Sequence, residues 1–287
     1  MATETTAEWR KQRSPLRWQS QLILLAIVPV TATWVTLAAG QALQEHASDV
    51  WLAAGISIGF AALVFAMRAA TLGASLTGGI FTAALYLETP GRHTALWPLV
   101  ALFLLTFGAT RFGWLRKEAL GTAEGKRGRT ASQVAANLGV AVLAGIPQLL
   151  ERLGSFPAER VLLTAMTAAM AEATADTVSS ELGQVLGGEP RLVTSLRRVP
   201  AGTDGAVSLI GTLAGCAAAA VVVAVSAAAL MLPGRDAVIA FGAAVAGLFV
   251  DSLLGALPER RGWINNDAVN TLSTLAAAVV AGLAVRS

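Results

Sequence analysis

Residues 205–232 read GAVSLIGTLAGCAAAAVVVAVSAAALML, and apart from the small polar Ser and Thr this stretch is almost entirely apolar. An α-helix rises about 1.5 Å per residue, so a helix of this length crosses the roughly 30 Å hydrocarbon core of a bilayer. The stretch therefore predicts a transmembrane helix. The neighbouring sequence then has to be interpreted as a membrane fold.

The composition of the whole chain agrees with this interpretation. Of its 287 residues, 55% are hydrophobic and only 14% are charged, and the mean hydropathy is +0.63. A soluble domain cannot hide so much apolar surface behind so few charges. The net charge of +3 argues against a nucleic-acid partner, and the lone Cys216 excludes an intrachain disulfide.

Working outward from 205–232, the apolar runs predict an all-α, polytopic transmembrane bundle of about nine spans. We expect residues 1–19 to form a cytoplasmic N-terminal segment and 20–287 a single transmembrane domain. The first span is longer than the apolar region of a signal peptide, which favours a retained helix. The second and third are so close that a tight hairpin or re-entrant pair is an alternative. The predicted spans are 20–40, 50–67, 70–88, 94–115, 131–150, 160–183, 205–232, 237–255 and 267–285.

The basic residues give an independent test of this topology. If the N-terminus is cytoplasmic, about three quarters of the 21 Lys and Arg residues fall in inner segments. Membrane proteins show this bias because cytoplasmic loops retain positive charge. The distribution predicts a multi-pass protein of the cell membrane with a cytoplasmic N-terminus.

Under this topology, the acidic residues inside the spans gather near the cytoplasmic ends of their helices. Glu172 and Asp176 are four residues apart and share a helix face, whereas Glu181 is rotated about 140° from Asp176. Asp251 ends the eighth span and Asp267 begins the ninth. Carboxylates in a bilayer are costly unless they are paired, hydrated or bound to a cation. Several of them beside amide oxygens suit Mg²⁺.

Amide side chains are expected at the same level. Gln133 and Asn137 lie in the first turns of the fifth span, and Asn266 and Asn270 begin the ninth. Helix capping is an alternative role for the residues at 265–267, because Asn and Asp are common N-caps. Gly55-x-x-x-Gly59 and Gly211-x-x-x-Gly215 are typical of close helix packing.

Two cationic, glycine-containing loops precede helices on the same side. The first contains Lys126, Arg127 and Arg129, and the second contains Arg197 and Arg198. Arginine side chains and the N–H groups at a helix start bind phosphate well. Neither loop is a Walker A motif, but cations for phosphate beside carboxylates for metal are the equipment of phosphoryl transfer.

Five ordered blocks of the sequence resemble one integral-membrane family, first known as a domain of unknown function, to which the plant phytyl-phosphate kinase belongs. The resemblance covers roughly residues 20–285. Asp204 and Leu138 depart from the usual family pattern, which has Asn at the first position and Asn-Gly following Asn137. The blocks are GRTASQVAAN (128–137), ATADTVSSELG (173–183), RRVPAGTDGAVS (197–208), DSLLGA (251–256) and NNDAVN (265–270).

The resemblance implies Mg²⁺-dependent transfer of a phosphoryl group from a nucleoside triphosphate, with CTP favoured, to an isoprenyl monophosphate in the membrane. On this hypothesis Asp176, Asp251 and Asp267 are catalytic and, with Glu172 and Glu181, hold the metal. Membrane lipids are further partners, and a homodimer is compatible with the sequence. The groups expected to bind the phosphates or orient ligands are Lys126, Arg127, Arg129, Arg197, Arg198, Gln133, Asn137, Asn266 and Asn270.

Two other functions use similar residues. A cytidylyltransferase that makes a CDP-lipid would need the same metal and phosphate groups but would release pyrophosphate. A cation-coupled transporter would use the carboxylates as a relay, and we would then expect charges near mid-bilayer and inverted repeats. The charges here lie near one face, which favours the kinase.

Overall fold

The structure, a computed structural model, describes residues 17–45, 47–123, 128–146 and 159–287. These residues form a helical bundle with one small β-hairpin. The helices are α1 (Arg17–Glu45), α2 (Ala47–Ala66), α3 (Leu72–Glu88), α4 (Leu96–Arg111), α5 (Trp114–Leu120), α6 (Ala131–Ala144), α7 (Glu159–Leu186), α8 (Leu209–Leu230), α9 (Gly234–Leu254) and α10 (Asn266–Arg286). The strands are β1 (Arg191–Leu192) and β2 (Ala206–Val207), and a π-helical turn, Gly255–Glu259, extends α9.

A helix occupies the position of each predicted span, with different ends. The fourth span is interrupted: α4 ends at Arg111, Gly113 takes a left-handed conformation, and α5 leaves at 61°. The seventh begins only at Leu209, because residues 206–207 pair in the hairpin and Ser208 caps the helix. The end of the fifth, residues 147–150, lies outside the described ranges, as do residues 1–16.

Not all of these helices have the length and apolarity of an independent span. Five do, namely α1, α2, α8, α9 with its π-helical turn, and α10, and the bent pair α4–α5 is a sixth candidate. The prediction of nine spans and a cytoplasmic N-terminus therefore stays a prediction. The remaining helices are α3 and α6, which are short, and α7, whose mean hydropathy is lowered by its acids.

The centre of the bundle is α7. It packs against α4, α6, α8, α9 and α10, and every residue from Val161 to Ala175 is buried. A helix buried all round by protein can carry acidic side chains that would be costly against lipid. Its position explains why the most acidic span is also the least exposed one.

Small residues let α8 approach α7 closely, as the second glycine motif predicts. A Cβ on Gly211 would lie 2.6 Å from the Ser179 carbonyl oxygen, and one on Gly215 would lie 2.7 Å from that of Ala175. The corresponding positions of Gly55 and Gly59 on α2 have no atom within 4 Å in the described chain. The first motif thus makes no helix contact here.

An ion pair aligns α7 with α9, which run parallel. Two guanidinium nitrogens of Arg160, Nε and Nη2 at the start of α7, donate to the buried carboxylate of Asp236 at the start of α9. Asp176 is 16 residues beyond Arg160 and Asp251 is 15 beyond Asp236. Equal rise per residue along the two helices therefore brings these two acids to the same level.

Candidate functional site

Three acids meet where α7 and α9 pass each other: Glu172 is buried, and Asp176 and Asp251 are half-buried. Asp176, Asp251 and Glu172 are close enough to interact electrostatically with one another. Glu172 is 1% exposed and its Oε1 has no hydrogen-bond partner among the described residues. The predicted meeting of acids from separate helices is therefore present for these three residues.

Gly247 makes room for Glu172. A Cβ at this position of α9 would lie 2.6 Å from Glu172 Cγ and 2.9 Å from Ala277 Cβ on α10. The absence of a side chain on Gly247 lets three helices converge around an acidic side chain without a clash. The acid is thus held where α7, α9 and α10 cross.

Amide and hydroxyl groups from α6 and α10 lie beside the acids. Asn270 Nδ2 donates to Asn137 Oδ1 at 3.3 Å, and Asn137 Nδ2 donates to the Gln133 carbonyl oxygen at 2.8 Å. Ser273 donates to Asp251 Oδ2 at 3.3 Å. Ser273 was missed by the sequence analysis, although its spacing of three from Asn270 places it on the same helix face.

Arg129 brings positive charge to the acids from the loop before α6. Its guanidinium donates to Thr177 Oγ1 at 3.3 Å and interacts favourably with the Asp176 carboxylate. The backbone around it pairs with the loop before α3, through Arg129 N–H to the Ala69 carbonyl and Thr71 N–H to the Arg129 carbonyl. Gly128 has φ +72°, and a Cβ there would lie 2.3 Å from the Ala69 carbonyl carbon, so this pairing requires glycine.

Glu181, predicted as a metal ligand, has another partner. Its Oε2 accepts from Lys117 Nζ at 2.6 Å, and Lys117 is almost fully buried. The same ammonium donates to the carbonyl oxygens of Ala109 and Thr110 at the end of α4. The rotation of Glu181 away from Asp176 on the helix wheel accounts for this separate role, which ties α5 to α7.

Several other predicted ligands lie in structural contacts or at the surface. Gln133 forms a capping box with Thr130: the Thr130 backbone N–H donates to Gln133 Oε1, and the Gln133 backbone N–H donates to Thr130 Oγ1. Arg198 pairs with Glu189 at 2.6 Å, and both are exposed. Arg197 is likewise exposed in the hairpin that contains β1 and β2, and Asn266 is exposed at the start of α10.

Capping also accounts for Asn265, whose side chain accepts from Ala268 N–H. Asp267 is buried in the first turn of α10, three residues before Asn270 and so on the same side of the helix. This spacing places Asp267 near the Asn137–Asn270 amide pair. Two other predicted ligands, Lys126 and Arg127, lie outside the described residues.

The hairpin nevertheless lies close to the acids. A Cβ at Gly205 would lie 2.2 Å from the Ala256 backbone nitrogen, in the π-helical turn that follows Asp251. Gly202 of the same hairpin approaches Thr122, just after α5. The loops bearing Arg129, Arg197 and Arg198 therefore gather at one end of the bundle, the end that also bears the acids.

This arrangement combines buried and half-buried carboxylates, amide oxygens and an arginine at the end of a helical bundle. Across the described ranges, no group of three or more His, Cys, Asp and Glu side chains is arranged so that it could hold a metal ion by itself. The oxygen donors that the structure does bring together are carboxylates, amides and the Ser273 hydroxyl. Oxygen donors are the type that Mg²⁺ prefers.

Comparison with known proteins gives uncharacterised relatives and one named relative. The chain is 41% identical over 113 residues to an uncharacterised membrane protein of Methanocaldococcus jannaschii, covering 39% of this chain and 46% of that protein. It is 31% identical to an uncharacterised membrane protein of Synechocystis, covering 64% and 70% of the two chains. The chloroplastic protein VTE6 of Arabidopsis thaliana is 30% identical, over 64% of this chain and 56% of its own length.

The matched region thus spans about half the length of the archaeal and plant relatives. No solved structure matches the chain. A family model described as integral membrane protein DUF92 matches residues 55–278, which include every helix from α3 to α9 and the acids Glu172, Asp176 and Asp251. The chain is therefore an integral membrane protein that belongs to the DUF92 family.

Proposed function

We propose that this protein is a membrane-embedded kinase that transfers the terminal phosphoryl group of a nucleoside triphosphate to an isoprenyl monophosphate. The observation that carries the proposal is the meeting of Glu172, Asp176 and Asp251 beside Arg129 at the loop-bearing end of the bundle. The resemblance to the family of the plant phytyl-phosphate kinase supports the substrate class and favours CTP. The relationship to VTE6 supports a prenyl-phosphate kinase-like role at the level of the family.

The residues present fit Mg²⁺. Their donors are carboxylate and amide oxygens, and Glu172 Oε1 is buried without a hydrogen-bond partner among the described residues. Proteins usually hold Mg²⁺ by one or two carboxylates together with substrate phosphates. Asp176 and Asp251 would hold the metal, with Glu172 behind them and Asp267 at the start of α10. When bound, Mg²⁺ supplies neutralisation of the charge that develops on the phosphate oxygens.

The reaction needs little covalent chemistry from the protein. An oxygen of the acceptor monophosphate attacks the γ-phosphorus, the bond from that phosphorus to the β–γ bridging oxygen breaks, and a nucleoside diphosphate leaves. The acceptor oxygen is already anionic, so a strong general base is not required. Arg129 would bind a phosphate group, and the Asn137–Asn270 pair would fix the ligand's orientation.

The decisive experiment uses purified protein in detergent or nanodiscs, Mg²⁺, a panel of isoprenyl monophosphates and CTP or ATP labelled at the γ-phosphate. We expect the label in an isoprenyl diphosphate. Release of labelled pyrophosphate would instead identify a cytidylyltransferase. If neither product forms with any lipid and nucleotide tested, the kinase proposal fails.

The acceptor is expected to reach the site from the cytoplasmic leaflet, as the basic-residue distribution of the sequence favours. Under this orientation the arginine-bearing loops and the acids face the nucleotide-containing compartment. Addition of CTP to sealed, inside-out vesicles should therefore support the reaction without a permeabilising agent. Right-side-out vesicles should become active only after permeabilisation.

A further inference from the structure

A cavity of about 370 Å³ lies between α2, α3, α4 and α6, beside the acidic site. Its volume is in the range of small-molecule sites in proteins. Most of its wall is aromatic or aliphatic, and Phe60 and Phe103 meet there edge to face at 5.3 Å. The aliphatic part includes Val64, Leu99 and Leu102. The cavity thus offers an apolar environment suited to a hydrocarbon chain.

One end of the cavity is cationic. Arg68, Arg111 and Arg129 all contribute to its lining. The elements that carry them are joined: Arg111 donates to the Met67 carbonyl oxygen at 2.9 Å, and the Arg129 backbone pairs with residues 69 and 71. Three guanidinium groups around one opening would suit a phosphomonoester, which accepts several charge-assisted hydrogen bonds.

Helix α6 separates this cavity from the acids. Val134 and Leu138, one turn apart, face the cavity, whereas Asn137 faces Asn270 on the other side. Arg129, just before α6, takes part in both regions, since it lines the cavity and donates to Thr177 next to Asp176. A headgroup at the cationic opening would therefore lie next to the acids.

We infer that this cavity binds the isoprenyl chain of the acceptor and that Arg68, Arg111 and Arg129 bind its phosphate. The identity of the acceptor rests on the proposed function, whereas the location rests on the cavity itself. The charge of the opening complements the phosphate, and the apolar wall complements the chain. A space of this size suits one chain, which favours an isoprenyl phosphate over a two-chain phospholipid.

The inference is tested first by photolabelling of the unmodified protein in nanodiscs. The probe is an isoprenyl monophosphate with a diazirine near the end of its chain. We expect labelled peptides from α2, α3, α4 or α6, and competition by unlabelled isoprenyl monophosphate but not by the corresponding alcohol. Labelling elsewhere, or equal competition by the alcohol, would show that bulk lipid or another site takes the probe.

A pair of variants then tests whether the isoprenyl chain occupies the cavity. A Cβ at Gly78 lies in ordinary contact, 3.9 Å from Phe60, so Gly78→Leu places a side chain in the cavity without a backbone clash. We expect its Kd for a long-chain isoprenyl monophosphate to rise about tenfold, because roughly two methylene contacts are lost. The Kd for a five-carbon analogue should change less than twofold.

The matched control is Gly59→Leu on α2, where a Cβ meets no atom within 4 Å. It should bind both ligands as the unmodified protein does. If Gly78→Leu binds the long chain normally, the location is wrong even if kinase activity is present. If labelling and chain-length effects are found but no phosphoryl transfer occurs, the binding site stands and the proposed reaction fails.

Discussion

The side chains that most strongly favour a catalytic role are the acids placed inside the bundle. Asp176 and Asp251 come from parallel helices, are half-buried and lie close enough to repel each other, and Ser273 donates to the second of them. Structural roles seldom bring two carboxyl groups together inside a membrane protein, because their charges repel and lack hydration. A cation bound with a phosphate would relieve both costs.

Replacing either acid with its amide should therefore remove activity while preserving the fold. We expect Asp176→Asn and Asp251→Asn each to lower kcat about 100-fold or more, the size of effect seen when one group that stabilises transition-state charge is lost. Removal of Mg²⁺ by EDTA should have a similar effect on the unmodified protein. The measurement is turnover with labelled nucleotide, alongside thermal unfolding.

Asp49→Asn, at the start of α2, is the control and should retain normal turnover. If the two site variants unfold at the same temperature as the unmodified protein and still turn over at full rate, these acids do not act on the metal or the phosphates.

The Lys117–Glu181 pair should contribute stability. Removing one partner of a buried ion pair leaves the other charge uncompensated, so Glu181→Gln should destabilise the protein by about 3 kcal/mol. The double variant Lys117→Met/Glu181→Leu should recover most of this loss, because no buried charge is left. Unfolding in detergent measures both effects.

Activity in the same double variant tests the original assignment of Glu181. A stable double variant with turnover near normal agrees with a structural role. A stable but inactive double variant would indicate that Glu181 binds the metal, as the sequence predicts.

At the level of elements, the site depends on how closely α9 approaches α7 and α10. Gly247 is a point of close approach, where an added Cβ would lie 2.6 Å from Glu172 Cγ and 3.1 Å from the Ser273 carbonyl oxygen. Both neighbours belong to or flank the acidic site. The spacing of the helices and the position of the acids are thus set by the same residue.

Gly247→Ala should consequently affect both stability and activity. Overpacking of this kind costs about 1–3 kcal/mol, and the displaced Glu172 should lower turnover. Gly242→Ala is a matched control on the same helix, since a Cβ there meets no atom within 4 Å. Thermal unfolding and turnover are measured for both. Equal behaviour of the two variants would show that the helix crossing tolerates a methyl group and does not position Glu172.

At the scale of the whole molecule, the orientation in the membrane decides which solution the site faces. Cys216 is the only cysteine, so Cys216→Ser provides a background for labelling single introduced cysteines. Ser195, in the hairpin, and Arg92, between α3 and α4, are both exposed. The basic-residue distribution places the first in a cytoplasmic loop and the second in an outer one.

In intact cells, a membrane-impermeant maleimide should therefore label Arg92→Cys but not Ser195→Cys, which should react only after permeabilisation. The reverse pattern would place the site on the outer side. Labelling of both without permeabilisation would contradict the predicted number of spans between them.

The sequence by itself determined that this is a helical membrane protein, where its helices lie and which acids are candidates for a functional site, because hydrocarbon imposes long apolar helices and makes buried charge rare. Spacing along one helix also separated Glu181 from Asp176. It did not determine the other contacts of the polar residues, as Lys117, Ser273 and the cationic opening of the cavity show. Those contacts join residues far apart in the chain, and only the packing of α7 against its neighbours brings them together.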